Sequence, residues 1–109
     1  MADFGNIFSA LPSKGLAEER VTSLLHTPHL RIERIISTGQ ASPVDQWYDQ
    51  EWDEWVILLR GGARLLFEGA AEAQSLRPGD FLNIPAHRRH RVVWTDPEQA
   101  TVWLAVHYR

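Results

Sequence analysis

DEWVILLRGGARLLFEG, residues 53–69, is the stretch whose reading decides the fold. WVILLRGG (55–62) is a compact apolar run that ends in a Gly-Gly turn, and ARLLFEG (63–69) starts a second run at once. Two short apolar runs joined by such a turn read as a β-hairpin. Downstream the same rhythm continues. AEAQSLRPGD (71–80) holds one strand's worth of residues and a Pro-Gly-Asp turn. FLNIPA (81–86) is stopped by Pro85, HRVVW (90–94) is followed by the TDPEQ turn (95–99), and ATVWLAVHYR (100–109) closes the chain. Upstream, LRIERIIS (30–37) sets Leu30, Ile32 and Arg34 against Arg31, Glu33 and Ile35, the alternation of a half-buried strand. Short strands with turns every 8–12 residues or so predict an all-β chain, a small antiparallel β-barrel or jelly roll.

The first 29 residues are expected to form an arm and one short N-terminal helix packed on a barrel of residues 30–109. LAEERVTSLL (16–25) carries the helix reading: Leu16, Arg20, Val21, Leu24 and Leu25 fall near helical spacing, and Glu18 and Glu19 suit the positive end of the helix dipole. With 109 residues there is material for one core only. Apolar residues at 44% and charged residues at 23% are an ordinary globular mixture. No apolar run nears the ~20 residues of a bilayer span, and the N-terminus lacks the basic and apolar regions of a signal peptide, so the expectation is cytoplasmic, with no membrane partner. The net charge of −3 argues against a nucleic-acid partner. Cysteine is absent, which leaves any metal to nitrogen and oxygen donors.

Two segments carry the chemistry. DQWYDQEWDEW (45–55) holds Asp45, Asp49, Glu51, Asp53 and Glu54 with no Lys or Arg between Gln40 and Leu59. Such a cluster needs basic side chains, solvent or a cation. PAHRRHR (85–91) holds His87 and His90 with Arg88, Arg89 and Arg91. Imidazole is a common metal ligand. Residues three apart on a straight strand point to opposite faces, so the two His share a metal only if the chain bends between them, as Pro85 allows. The arginines could equally serve to neutralise the acidic segment, and both readings hold together.

These two segments resemble the paired motifs of the cupin superfamily, in particular the small single-domain cupins, some of them called mannose-6-phosphate isomerase-like. EWVILLRG (54–61) matches E-x6-G of the first motif, and GDFLNIPAHRRH (79–90) matches the second from Gly79 through Pro85 to His90. The resemblance covers roughly residues 30–107. The first motif's two His are missing, their places falling on Tyr48 with Gln50 or on Trp47 with Asp49. His87 stands where the second motif has Gly, and Trp94 where it has Asn. The resemblance implies a metal site carried over as Glu54 and His90, with Asp49 and His87 as substitutes. Two His and two carboxylates would suit Zn, Fe, Mn or Ni. Convergence requires Glu54, Val56 and Leu58 on one strand, and His90, Val92 and Trp94 on another, to face into the barrel.

His107 runs in step with Trp103 and Ala105 and is a candidate second acid–base residue beside Glu54. Trp47, Tyr48 and Trp52 suit either a ligand rim or a dimer contact, and Arg88 or Arg89 could meet a phosphate. The function expected is a metal-binding cupin, a homodimer, acting on a small polar organic molecule by isomerase-like or dioxygenase-like chemistry. The alternative is a metal-free module that binds a small ligand or dimerises.

Overall fold

The hairpin read from residues 53–69 is present, and strands pair outward from it in both directions. A computed structural model describes residues 2–109. Its strands are β1 (Arg20–Thr27), β2 (Leu30–Ser37), β3 (Asp53–Arg60), β4 (Ala63–Phe67), β5 (Gln74–Leu76), β6 (Phe81–Ile84), β7 (His90–Thr95) and β8 (Thr101–Tyr108). All pairings are antiparallel. A five-stranded sheet, β1-β2-β8-β3-β6, faces a three-stranded one, β5-β4-β7. Tyr48 makes an isolated bridge to His90 and so extends the small sheet past β7.

The expected helix over Leu16–Leu25 is a strand instead. Arg20–Thr27 pairs with β2 from Arg20↔Ile36 to Thr27↔Leu30, with a bulge near Leu24. A ten-residue helix is marginal without a groove to receive its apolar face. RVTSLLHT contains β-branched Val21, Thr22 and Thr27, and the free edge of β2 offers a full set of backbone partners. The arm before it is tied to the sheet by polar contacts. Arg34 Nη1 donates to the carbonyls of Ile7 (3.2 Å) and Ser9 (2.7 Å), and Gln40 Nε2 donates to that of Leu16 (2.7 Å).

Register converts strand alternation into a graded interior. Partners across an antiparallel ladder share a face. His26, Arg31, His107, Glu54 and Ile84 therefore form one transverse row across the large sheet. The next row on that face is Ser23, Glu33, Ala105, Val56 and Leu82, and the third runs Val21, Ile35, Trp103, Leu58. One end of the interior is thus ionisable and the other apolar. The core of Val56, Leu58, Leu65, Leu76, Ile84, Trp103 and Ala105 fills the apolar end.

Trp94 departs from the inward series expected for β7. Arg64 pairs with Trp94 but Leu65 with Val92, so an extra residue is inserted on β7. Such a bulge exchanges the faces beyond it. His90 is buried on the near side, Trp94 turns out to solvent, and Thr95 is buried in its stead.

Gly61 holds the β3–β4 turn at φ +86°, and a Cβ there would lie 2.3 Å from Thr101 Oγ1 and 2.7 Å from Thr101 Cα. Thr101 is fully buried and cannot yield. Gly61→Ala is expected to lower the unfolding free energy by about 2–4 kcal/mol through backbone strain and overpacking. Gly62→Ala, whose Cβ would meet the edge of the Trp94 ring at 3.4 Å and the Leu76 carbonyl at 3.9 Å, should stay within about 1 kcal/mol. Urea denaturation of the two variants checks the contrast.

Candidate functional site

A cavity of about 230 Å³ opens between the two sheets at the end where the ionisable row lies. The large sheet contributes Arg31, Glu33, Ile35, Glu54, Val56, Ile84, Trp103 and His107, with Val21 from the edge strand and Glu19 just before it. Leu65, His90 and Val92 face them from the small sheet, and Tyr48 and Gln50 close the side. This is on the order of eight water volumes and below the ~300–1,000 Å³ of drug-sized pockets, so there is room only for a small molecule.

Glu54 and His90 come together as the sequence suggested. Glu54 is 7% exposed and His90 4%, and His90 Nε2 lies 3.8 Å from Glu54 Oε1, too far for a hydrogen bond. His90 Nδ1 is 2.9 Å from the Arg88 carbonyl. A carbonyl only accepts, so the imidazole carries its proton on Nδ1 and presents the Nε2 lone pair to the carboxyl group. Reciprocal backbone bonds to Tyr48 (2.7 and 3.2 Å) and the Tyr48 ring at 5.5 Å hold the residue in place.

His107, 4% exposed, faces the same cavity. Its Nε2 lies 3.2 Å from Glu33 Oε1, and its Nδ1 is buried with no partner. Below the ionisable row, Trp103 Nε1 donates to Ser37 Oγ (3.1 Å), and the Ser37 hydroxyl donates to the Glu19 carboxylate.

Asp49 and His87 lie elsewhere. Their side chains pair at 2.8 Å on the surface, 47% and 66% exposed, outside the cavity lining. His87 has φ +65°, the left-handed conformation that Gly adopts freely and His at a cost. It thus replaces the motif's Gly while keeping its backbone turn, fastened by His87 N–H to the Gln50 carbonyl (2.7 Å) and Ala86 N–H to Asp53 Oδ1 (2.8 Å). That turn aims the ring outward. Arg88 and Arg89 also point away from the cavity. Arg88 Nη1 donates to the Glu68 carbonyl (3.0 Å), and Arg89 pairs with the Glu68 carboxylate (2.7 Å).

The donor set decides how a divalent metal would sit. Of the four expected ligands only Glu54 and His90 converge, and among the described residues no group of three or more His, Cys, Asp or Glu is disposed to hold a metal ion. The residues present do not fit a four-ligand centre.

Sequence reading missed Arg31, Glu33 and Glu19 as cavity residues. The alternation of LRIERIIS did place Arg31, Glu33 and Ile35 on one face, but charged residues on a half-buried strand read as its solvent side.

Residues 34–107 match the family described as Cupin domain, and the chain belongs to that family. A crystal structure from Ralstonia eutropha JMP134, described as "a putative mannose-6-phosphate isomerase", is 50% identical with TM-score 0.95, covering 98% of each chain. The polyketide cyclase RemF of Streptomyces resistomycificus is 19% identical with TM-score 0.76, covering 99% of this chain and 80% of its own. A cupin-superfamily sugar phosphate isomerase from Silicibacter pomeroyi DSS-3 is 19% identical with TM-score 0.64, covering 84% and 59%. The last two share the fold alone, and their different chemistries place the reaction in the site rather than in the fold. No curated protein matches the chain. No helix among the described residues is long and apolar enough to cross a membrane.

Burial, and then the Glu33 carboxylate, push the Glu54 pKa from 4.5 up to about 7, against the Gln50 side chain and Arg31. Burial also lowers His90, as does the Arg88 charge, while its backbone bond opposes. His107 is lowered by burial and by Arg31 against the pull of Glu33. A carboxyl group with a raised folded-state pKa contributes stability that is full below about 4.5 and lost as pH rises towards 7. The two lowered His act in the opposite sense, losing stability as pH falls. Their contribution cancels when Glu54→Gln is compared with the wild type. The difference in unfolding free energy between variant and wild type should rise in the variant's favour by about 3 kcal/mol across this window and flatten above it. Urea titrations from pH 4 to pH 8, in the presence of a chelator, read this directly; a flat difference would mean that Glu54 titrates in the folded protein as it does in the unfolded chain.

Proposed function

We propose that this cupin binds a small organic molecule in the cavity between its sheets and moves a proton on it, with Glu54 as the acid–base group. The carrying observation is that Glu54 is buried in a cavity wall with its pKa near 7, where it can both give and take a proton at neutral pH. His90 supports the reading from the facing sheet, its Nδ1 proton held by the Arg88 carbonyl and its Nε2 lone pair turned towards Glu54 in the cavity wall, whereas His107 Nδ1 is sealed from the cavity. For a carbonyl compound the step is an enolisation. His90 Nε2 takes a proton from the carbon beside the carbonyl, the C–H electron pair becomes a C=C bond, and the carbonyl oxygen takes the Glu54 proton. Where that carbon carries a hydroxyl group, return of the proton to the former carbonyl carbon, as the hydroxyl gives its own proton to Glu54 and becomes the new carbonyl, is an isomerisation. This agrees in kind with the isomerase named for the 50%-identical relative, and needs no group beyond the chain's own residues.

The test is deuterium incorporation in D2O, followed by NMR, over a panel of small aldehydes, ketones and α-keto acids. Wild-type protein should catalyse exchange beside the carbonyl of at least one member, and Glu54→Gln should slow it by about 100-fold or more. Exchange that persists in the variant would remove Glu54 as the acid–base group, and no exchange with any member would leave a ligand-binding module without catalysis. Elemental analysis addresses the metal-dependent reading, in which Zn, Fe, Mn or Ni sits on Glu54 and His90 with Asp49 and His87. Metal well below one per chain is expected. One per chain, lost in both Glu54→Ala and His90→Ala, would replace the present reading.

The homodimer belongs to the same proposal. β1 is an edge strand that exposes Val21 (55%), Leu24 (49%) and Leu25 (46%), the kind of edge that proteins cover. Sedimentation should give the mass of two chains, and Leu25→Lys that of one.

A further inference from the structure

We propose that the ligand is a small organic monoanion, a carboxylate on a short apolar body, and that Arg31 is its anchor. This rests on the cavity reading above and adds the charge and polarity of what enters. The cavity carboxylates are accounted for within the protein. Glu33 pairs with His107, Glu19 accepts from Ser37, and Glu54 faces His90. Arg31 is the exception. It lines the cavity, takes part in no ion pair among the described residues, and has its Nε buried without a hydrogen-bond partner. Its one defined contact is with Trp52, whose ring centre is 5.1 Å from Cζ. A cation–π contact fixes a guanidinium without consuming its N–H donors. The planar fork is therefore held at the cavity wall with no carboxylate of the described residues within ion-pair distance, and a carboxylate is the group whose geometry it matches.

Two features limit the ligand to one charge and a largely apolar body. Glu33 lies two residues along on the same face as Arg31, and Glu19 also lines the cavity. Both would repel the second charge of a phosphate. Beyond the ionisable row the wall is Val21, Ile35, Leu65, Val92 and Trp103, which offers little to the hydroxyl groups of a sugar. With about 230 Å³ available, a branched carboxylate of a few carbons suits the site better than a sugar phosphate.

Four matched probes test the inference: isovalerate, isovaleramide, isoamyl alcohol and isoamyl phosphate. Each is titrated into full-length protein and followed through the indole N–H resonance of Trp103, a cavity group 4% exposed to solvent. Isovalerate should bind at least about tenfold more tightly than the amide or the alcohol, and the phosphate more weakly than isovalerate. Arg31→Gln should abolish that preference while leaving the affinity for isovaleramide within about twofold, which separates lost recognition from lost folding. Equal binding of acid and amide to wild type, a preference that survives in Arg31→Gln, or tighter binding of the phosphate would each overturn the anion assignment and leave the cavity reading standing. If none of the probes moves the Trp103 resonance, the cavity reading falls and this inference with it.

Discussion

The site depends on one ladder, the pairing of β8 between β2 and β3. His107 stands opposite Arg31 on one side and Glu54 on the other. A slip of one residue would send every one of these side chains to the opposite face of the sheet. Register is set by the apolar rows beneath, where Ala105 pairs with Val56 and Trp103 with Leu58, all buried. Hydrophobic burial at one end of the sandwich thus fixes the ionisable groups at the other. Holding a carboxyl group there works against its solvation, which is why its proton is retained towards neutral pH. The same register that stabilises the core holds a desolvated carboxyl group at its polar end.

The arginines and tryptophans divide the work differently from the expectation of simple charge neutralisation. Arg31 and Arg109 both lie over Trp52, at 5.1 and 4.3 Å, and Arg89 and Arg91 over Trp47, at 6.0 and 5.5 Å. Such contacts occur about once per 70–80 residues in proteins, so their concentration on one segment sets it apart. Residues 45–55 are fastened to the body through their indoles, while Asp49 meets His87, Asp53 accepts from the Ala86 N–H and Glu54 is buried beside His90. Fastening the segment also brings Tyr48 and Gln50 to the side of the cavity. The basic residues of PAHRRHR accordingly face the outside of the small sheet, and only His90 of that motif enters the interior.

The alternation of β2, the hairpin at 53–69 and the turns at Gly61 and Gly79 were legible in the chain, and the resemblance to the cupin motifs pointed to Glu54 and His90. The helix reading of 16–25 failed because four apolar residues can be fitted to either period over so short a span. What decided between them was the open edge of β2, which the local sequence does not display. Trp94 was misplaced because a bulge leaves no mark in a period-two pattern. His87 was offered as a ligand on its chemistry, yet its left-handed backbone turns it towards Asp49 and the solvent.

By itself the sequence determined the all-β class, the hairpins and their turns. These follow from side-chain alternation and backbone limits that act within a few residues. Which charges share the cavity was decided only in three dimensions. Arg31, Glu33 and His107 lie more than seventy positions apart at their extremes and meet through strand register alone. Their neighbours, and hence their charge states and unfilled hydrogen bonds, are properties of the assembled sheets that no local stretch of chain encodes.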